Sequence, residues 1–216
     1  MNSRWITAIG ALLLTASACW QEPAPQPYIE PAPPTPAEEY LQLQAGNYWV
    51  YQTYQYDWNS KERTPLSKRD SLYAGKELTQ GRSVFQRLQG TRLGQPVDLM
   101  LRMRNTEALD TSGRVYFATD RPGEPFPLSA AVLPEEAAAV EMTVDTGSLQ
   151  TVPYGTFETL SATQSITLLP KYGGEGGGPH RIDTAYYSIG VGLIRYVRYY
   201  PEQQLSVGME LVRKNF

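Results

Sequence analysis

Hydrophobic and polar positions along this chain alternate with a period of two more often than they follow a helical period. Leu99, Leu101 and Met103 alternate with Met100, Arg102 and Arg104; Val140, Met142 and Val144 with Glu141, Thr143 and Asp145; Leu205, Val207, Met209 and Leu211 with Ser206, Gly208 and Glu210. Successive side chains of a strand point to opposite faces, so these runs predict half-buried strands. Turn residues interrupt them at short intervals: Gln80-Gly81, Asp110-Thr111-Ser112-Gly113, Asp145-Thr146-Gly147, Val152-Pro153-Tyr154-Gly155 and Pro201-Glu202-Gln203-Gln204. Strands joined so tightly must be antiparallel. The pattern places strands at 47–58, 70–77, 82–90, 97–105, 114–119, 139–145, 156–168, 182–190, 193–200 and 205–213. So long a meander has to curl or fold over. The expected class is therefore mainly β, a single antiparallel curved sheet, half-barrel or sandwich-like, with little helix. One helical candidate, Leu133 to Ala139, has Pro134 suited to a first helical position and Glu135-Glu136 complementing the helix dipole.

The first 39 residues follow a different logic. Asn2-Ser3-Arg4 is a short positive start, and Ile6 to Leu14 is an apolar stretch too short to span a bilayer, as in a signal peptide. Thr15-Ala16-Ser17-Ala18-Cys19 then brings small residues up to the only cysteine of the chain. This segment resembles the lipobox of bacterial lipoproteins at Ser17, Ala18 and Cys19, and departs from it at Ala16, where leucine is usual. The resemblance implies cleavage before Cys19 and acylation there, with the acyl chains (palmitate among them) anchoring the mature protein in a membrane. Each buried CH₂ contributes about 0.8 kcal/mol, so several chains hold where one does not. Trp20 rather than Asp follows the cysteine, which by resemblance to the enterobacterial sorting rule points to the outer membrane. From Trp20 to Glu39 there are seven prolines in twenty residues. Such a segment favours an extended polyproline helix and reaches roughly 60 Å as a spacer. The expected organisation is signal peptide 1–18, lipidated Cys19 and tether 19–39, and β domain 40–216.

Several phrases of the β domain resemble an uncharacterised group of Bacteroidetes-type secreted proteins and lipoproteins. They are Leu43 to Tyr51 (LQAGNYWVY), Asp70-Ser71-Leu72-Tyr73 with Gly81 and Val84-Phe85, Gly113 to Phe117, Val152 to Glu158, and Tyr186 to Ile194. Tyr154 departs from the pattern, which has a small residue there. The resemblance implies a curved antiparallel sheet and carries no catalytic residue across. Its motifs read as architecture: Pro153 and Gly155 set a turn, while Gly190 and Gly192 permit a bend or a close approach of backbone.

Composition narrows the chemistry. Nineteen Lys+Arg against 22 Asp+Glu give a formal charge of -3, and the basic residues are scattered, so nucleic acid is not an expected partner. One cysteine and one histidine exclude disulfide frameworks, cysteine-rich zinc sites and multi-histidine metal sites, and no cofactor is expected. The run Gly173 to Gly178 lacks the Lys-Ser/Thr and the helix that a phosphate loop needs, and reads as a loop closed by a solvated His180. Glu107, Asp110, Asp145, Glu158 and Asp183 are the acids from which a catalytic pair would have to be drawn. By simple alternation one of Arg195 and Arg198 faces inward, and an inward arginine needs a partner.

Six aromatics crowd eleven residues, Tyr48, Trp49, Tyr51, Tyr54, Tyr56 and Trp58, and a second cluster contains Tyr186, Tyr187, Tyr196, Tyr199 and Tyr200. On strands these divide between two faces: one packs the core, and the other can face a ligand. The candidate ligand-facing set is Tyr48, Trp49, Tyr51, Tyr54, Tyr56, Trp58 and Tyr196. The functional expectation is a membrane-anchored envelope lipoprotein, a non-catalytic module that binds a hydrophobic ligand, a glycan or an envelope protein. The alternative is an envelope hydrolase using a carboxylate pair.

Overall fold

In the computed structural model, the described residues are 33–127, 137–169 and 180–216. A short helix α1 (Ala37–Leu41) precedes thirteen strands: β1 (Tyr48–Asp57), β2 (Glu62–Ala74), β3 (Leu78–Gln80), β4 (Ser83–Arg92), β5 (Gln95–Arg104), β6 (Glu107–Leu109), β7 (Val115–Ala118), β8 (Phe126–Pro127), β9 (Ala137–Val152), β10 (Gly155–Leu168), β11 (Arg181–Ser188), β12 (Gly192–Tyr200) and β13 (Leu205–Lys214). They form one open antiparallel sheet in the order β7-β6-β5-β4-β2-β1-β13-β12-β11-β10-β9-β8, with β3 paired only to β4. Every pairing along this path joins strands close in sequence except β1 with β13, which brings the two ends of the domain together at the centre of the sheet. The described edges are β7 and β8.

Alternation decides which face each strand buries. Val140, Met142 and Val144 are buried while Glu141 and Asp145 are exposed, and Leu101 is buried between Met100 and the half-buried Arg102. The inward side chains form one core that includes Trp49, Tyr51, Leu72, Phe117, Leu160, Ile194 and Met209. Trp49 shows why Gly192 is a glycine: its indole N–H donates to the Val191 carbonyl at 2.7 Å, and a Cβ on Gly192 would sit 2.9 Å from the indole nitrogen.

Four sequence expectations change. The turn expected at Asp145-Thr146-Gly147 is a bulge inside the continuous strand β9: Thr159 pairs with Ser148 and Leu160 with Thr146, skipping Gly147 at φ +87°. Glycine with positive φ serves a bulge as well as a turn. Of the helical candidate, Ala137 to Ala139 lie in β9, where pairing of Ala139 with Thr167 and Ala137 with Leu168 overrides alanine's helix preference; Leu133 to Glu136 lie outside the described residues. The helix that does form, α1, takes in Ala37 to Glu39 of the segment read as tether, with Pro36 before it and Glu38 and Glu39 in its first turn. It is docked: Ala37 is buried and its N–H donates to the Asn105 carbonyl at 2.8 Å. His180, read as solvated, is tucked in, with a side chain only 7% exposed and Nδ1 accepting from the Leu168 N–H at 3.4 Å. Cys19, the tether as far as Ala32 and the Gly173–Gly178 run lie outside the described residues.

Candidate functional site

The candidate aromatics separate by strand register. Trp49, Tyr51 and Tyr196 point into the core and are buried. Tyr48, Tyr54 and Tyr56 lie on the outer face of β1, and Trp58, just past its end, is 50% exposed. Trp58 leans edge-on against Tyr56 and Tyr199, with ring centroids 4.8 and 5.7 Å away, and its N–H donates to Ser206 Oγ at 2.8 Å. Tyr54 is outward-facing yet only 3% exposed. Its partner across β13 is Gly208, which lets the ring lie flat on the sheet, while the Arg63 guanidinium covers it at 4.0 Å. Arg63 and Arg195 both pair with the buried Glu210. No single surface therefore collects all seven residues.

The inward arginine is Arg198, and its partner is Asp183. Nε and Nη2 of Arg198 donate to the two carboxylate oxygens at 3.0 and 3.2 Å, the Tyr196 hydroxyl donates to Oδ2 at 2.6 Å, and Arg181 Nε stands 3.3 Å from Oδ1. Burial opposes the Arg198 charge, but Tyr196 and Asp183 outweigh it and hold its pKa above the ordinary value. A second interior cation, Arg92, comes from the tip of the β4–β5 hairpin. Pairing of β4 with β2 covers only Leu72 to Ala74 with Leu88 to Gly90, and beyond Gly90 the hairpin continues until Arg92 lies 4.5 Å over the Tyr196 ring on β12. Its two-residue turn puts Leu93 at φ +50° and Gly94 at φ +75°. Left-handed leucine costs about 1–2 kcal/mol, offset here by packing of Leu93 against the core. The Gly94 N–H donates to the buried Asp70 carboxylate at 3.1 Å. Sequence reasoning missed Arg92; a glycine inside strand β4, Gly90, was the available signal.

The tyrosines around Arg92 are strongly perturbed. Burial pushes Tyr196 up to about 12, and raises Tyr187 further, with Tyr116 adding to the effect. Tyr51 is also raised, by burial first and Tyr187 second, and its hydroxyl donates to the Leu193 carbonyl at 2.9 Å. Because the folded-state values lie above the unfolded value of about 10, the folded state retains protons that the unfolded state loses. The resulting stability is complete below pH 10 and is lost as pH rises through the folded values, by about 1.4 kcal/mol per pH unit for each tyrosine. Cooperative alkaline unfolding between pH 10 and about 12 is the expected result, with a late class of tyrosinate absorbance appearing together with loss of the far-ultraviolet circular dichroism. Smooth titration of all tyrosines near pH 10 with the fold intact would contradict this burial.

Two spaces adjoin these residues. The interior one, about 20 Å³, is bounded by Arg92, Tyr116 and Tyr187 at one side and by Leu41, Leu43 and Leu193 at the other. The outer one consists of two adjoining hollows of about 280 Å³ each that share Asp110 and Thr111. Asp98, Met100 and Tyr116 line the first, and Phe85 and Arg102 the second. Asp98 and Asp110 face the same hollow, but both act as acceptors. Arg87 grips Asp98 at 2.8 and 2.5 Å and holds it below the usual carboxylate range. Oδ1 of Asp110 accepts from the Ser112 N–H, Ser112 Oγ and the Arg114 N–H. A general acid has to hold a proton, and an acid gripped by arginine does not. The other acids are dispersed: Glu107 pairs with Arg121, Asp183 with Arg198, and Asp145 and Glu158 are exposed. Among the described residues no cluster of three or more His, Cys, Asp or Glu could hold a metal ion.

No protein-family model and no curated protein matches the sequence. Among solved structures the chain is similar to a protein described as exported, with a YmcC-like fold, from Bacteroides fragilis, at 12% identity over 82% of this chain and 99% of that one, with a TM-score of 0.46. It is also similar to a protein described as a lipoprotein from Parabacteroides distasonis, at 14% identity over 80% and 96% of the two chains, with a TM-score of 0.39. A β-barrel-like protein of a domain of unknown function from Brucella abortus shares 10% identity over 78% and 96%, with a TM-score of 0.38.

Proposed function

We propose that this chain is a non-catalytic envelope lipoprotein, held at the outer membrane through Cys19 and the proline-rich spacer, whose β domain works by contact with another envelope protein. The contrast between its two spaces carries this reading. An interior of about 20 Å³ has room for roughly one water, whereas small-molecule sites begin near 300 Å³. The outer hollow is open and lies beside backbone paired on one side only. Strand β6 pairs with Arg102 to Arg104 of β5, so among the described residues Gln95 to Leu101 have β4 as their sole strand partner.

A free strand edge offers N–H and C=O groups to an extended segment of another chain. Leu99 and Leu101 face one side of this edge, and Asp98 and Met100 the other. The segment that fits alternates apolar and polar residues. The test is a photo-crosslinking amino acid placed at Met100 in cells, compared with one at Leu149 and with the Met100 probe in a Cys19→Ala background. The expected result is a discrete adduct with one envelope protein from Met100 alone, lost when Cys19 is replaced. No adduct, or the same adduct from Leu149, overturns the contact; an unchanged adduct from a soluble Cys19→Ala protein overturns the tether.

A further inference from the structure

We propose that the outer face of β2, β1, β13 and β12 is a docking surface for an acidic polysaccharide. This surface is separate from the free edge of β5 and stands without it.

Strand register assembles the surface. Cations scattered along the sequence meet because β1 joins β13 at the centre of the sheet. Gln52, on the outer face of β1, is opposite Arg69 on β2 and Glu210 on β13, and Glu210 is opposite Arg195 on β12. One row across four strands therefore reads Arg69, Gln52, Glu210, Arg195. Its two arginines stand three strand spacings apart, about 14 Å at about 4.8 Å each. A neighbouring row adds Arg213, opposite Val50, and a further row adds Arg63, opposite Tyr56.

The first argument is charge. These rows carry four arginines against one carboxylate, in a chain whose formal charge is -3. That carboxylate, Glu210, is buried and shared by Arg63 and Arg195. Arg69 and Arg213 are exposed and make no ion pair among the described residues. A planar guanidinium presents a fork that matches a carboxylate. The second argument is aromatic surface. Tyr56, Tyr199 and the half-exposed Trp58 close one end of the patch beside Arg63, and Tyr48 closes the other, with the Arg213 guanidinium 5.7 Å over its ring. The indole N–H of Trp58 is already given to Ser206, so Trp58 offers ring surface, on which the C–H face of a sugar packs. The third argument separates a glycan from an acidic peptide. Strands β1, β13 and β12 are each paired on both sides, so an extended peptide finds no free N–H or C=O here, as it does at a strand edge. The face is also convex: β7 and β11 lie far apart in the strand order, yet the Phe117 and Tyr187 rings meet at 5.1 Å, so the sheet curls around its core. A polymer chain can follow such a face through ring and charge contacts alone.

The experiment measures binding of the full chain, in a non-ionic detergent, to immobilised polygalacturonate, with dextran as the neutral glycan and poly-glutamate as the acidic peptide. The expected result is binding of polygalacturonate at least tenfold tighter than of either control, weakening as ionic strength rises above about 0.15 M and screening shortens. Arg69→Gln/Arg213→Gln removes two exposed cations without an ion-pair partner, and is expected to weaken polygalacturonate binding at least tenfold at an unchanged thermal midpoint. Lys76→Gln/Arg82→Gln removes the same charge from exposed positions outside these rows, and should leave binding within twofold. Trp58→Ala is expected to weaken binding at least threefold with its salt dependence unchanged. No binding of polygalacturonate, equal binding of poly-glutamate, equal losses in the two double variants, or full binding by Trp58→Ala overturns the proposal.

Discussion

Asp183→Ala is expected to remove about 3–5 kcal/mol of folding stability, a large share of the roughly 5–15 kcal/mol that holds a domain of this size. Asp183 and Arg198 are both buried, and the substitution leaves the guanidinium without its two carboxylate bonds. It also strips the Tyr196 hydroxyl of its acceptor and Arg181 of its nearby countercharge. The cost comes from stranding these groups rather than from the worth of the pair itself. Asp183→Leu combined with Arg198→Met should therefore recover most of the loss, since apolar replacement of a whole buried pair is often neutral. Urea denaturation followed by tryptophan fluorescence checks this through the midpoint, with the slope unchanged. A loss below about 1 kcal/mol would mean that the pair behaves as a solvated one.

The same cluster shows what could be read from the sequence. Alternation around Tyr196 required one arginine of Arg195 and Arg198 to turn inward, and Asp183 stood among the acids worth watching, but their pairing depends on register. Asp183 meets Arg198 because β11 and β12 align Tyr186 with Arg195 and Ile182 with Tyr199; a one-residue slip would reverse every face. All ten expected strands appear because each is marked either by period-two alternation or, as in Val115 to Ala118, by a short apolar run between turn residues. The N-terminal half of β2, from Glu62 to Arg69, is almost wholly exposed, and an exposed strand leaves no apolar pattern to detect. The strands β3, β6 and β8 are two or three residues long and escape for a simpler reason. Tyr54 was legible as an aromatic on a strand. Its burial on the outer face was not, because that depends on Gly208 across the sheet and on Arg63 from another strand. Arg92 was the least legible of all: Gly90 signals a close approach of backbone within β4, but not that the hairpin tip beyond it reaches a strand more than a hundred residues away.

That reach rests on Gly90, and Gly90→Ala is the second substitution expected to do large damage, about 2–5 kcal/mol. Two effects combine. Gly90 sits at φ +134°, a conformation that side chains rarely adopt, and a Cβ there would fall on the Ser71 carbonyl oxygen and crowd the Leu72 backbone, neither of which can yield as a flexible side chain would. Gly113→Ala separates the two: Gly113 has φ +81° but open space around it, so only the conformational strain applies, about 1–2 kcal/mol. Gly90 is the last residue of β4 paired with β2, so relief of the clash should come from detaching the hairpin rather than from unfolding the whole sheet. Hydrogen exchange is therefore expected to accelerate across residues 88–97 while the β9–β10 ladder keeps its protection. A uniform loss of protection would instead mean that the hairpin and the sheet open as one unit. Local loss alone would place the interior position of Arg92 under the control of one glycine, with the hairpin tip the part of the sheet most readily released.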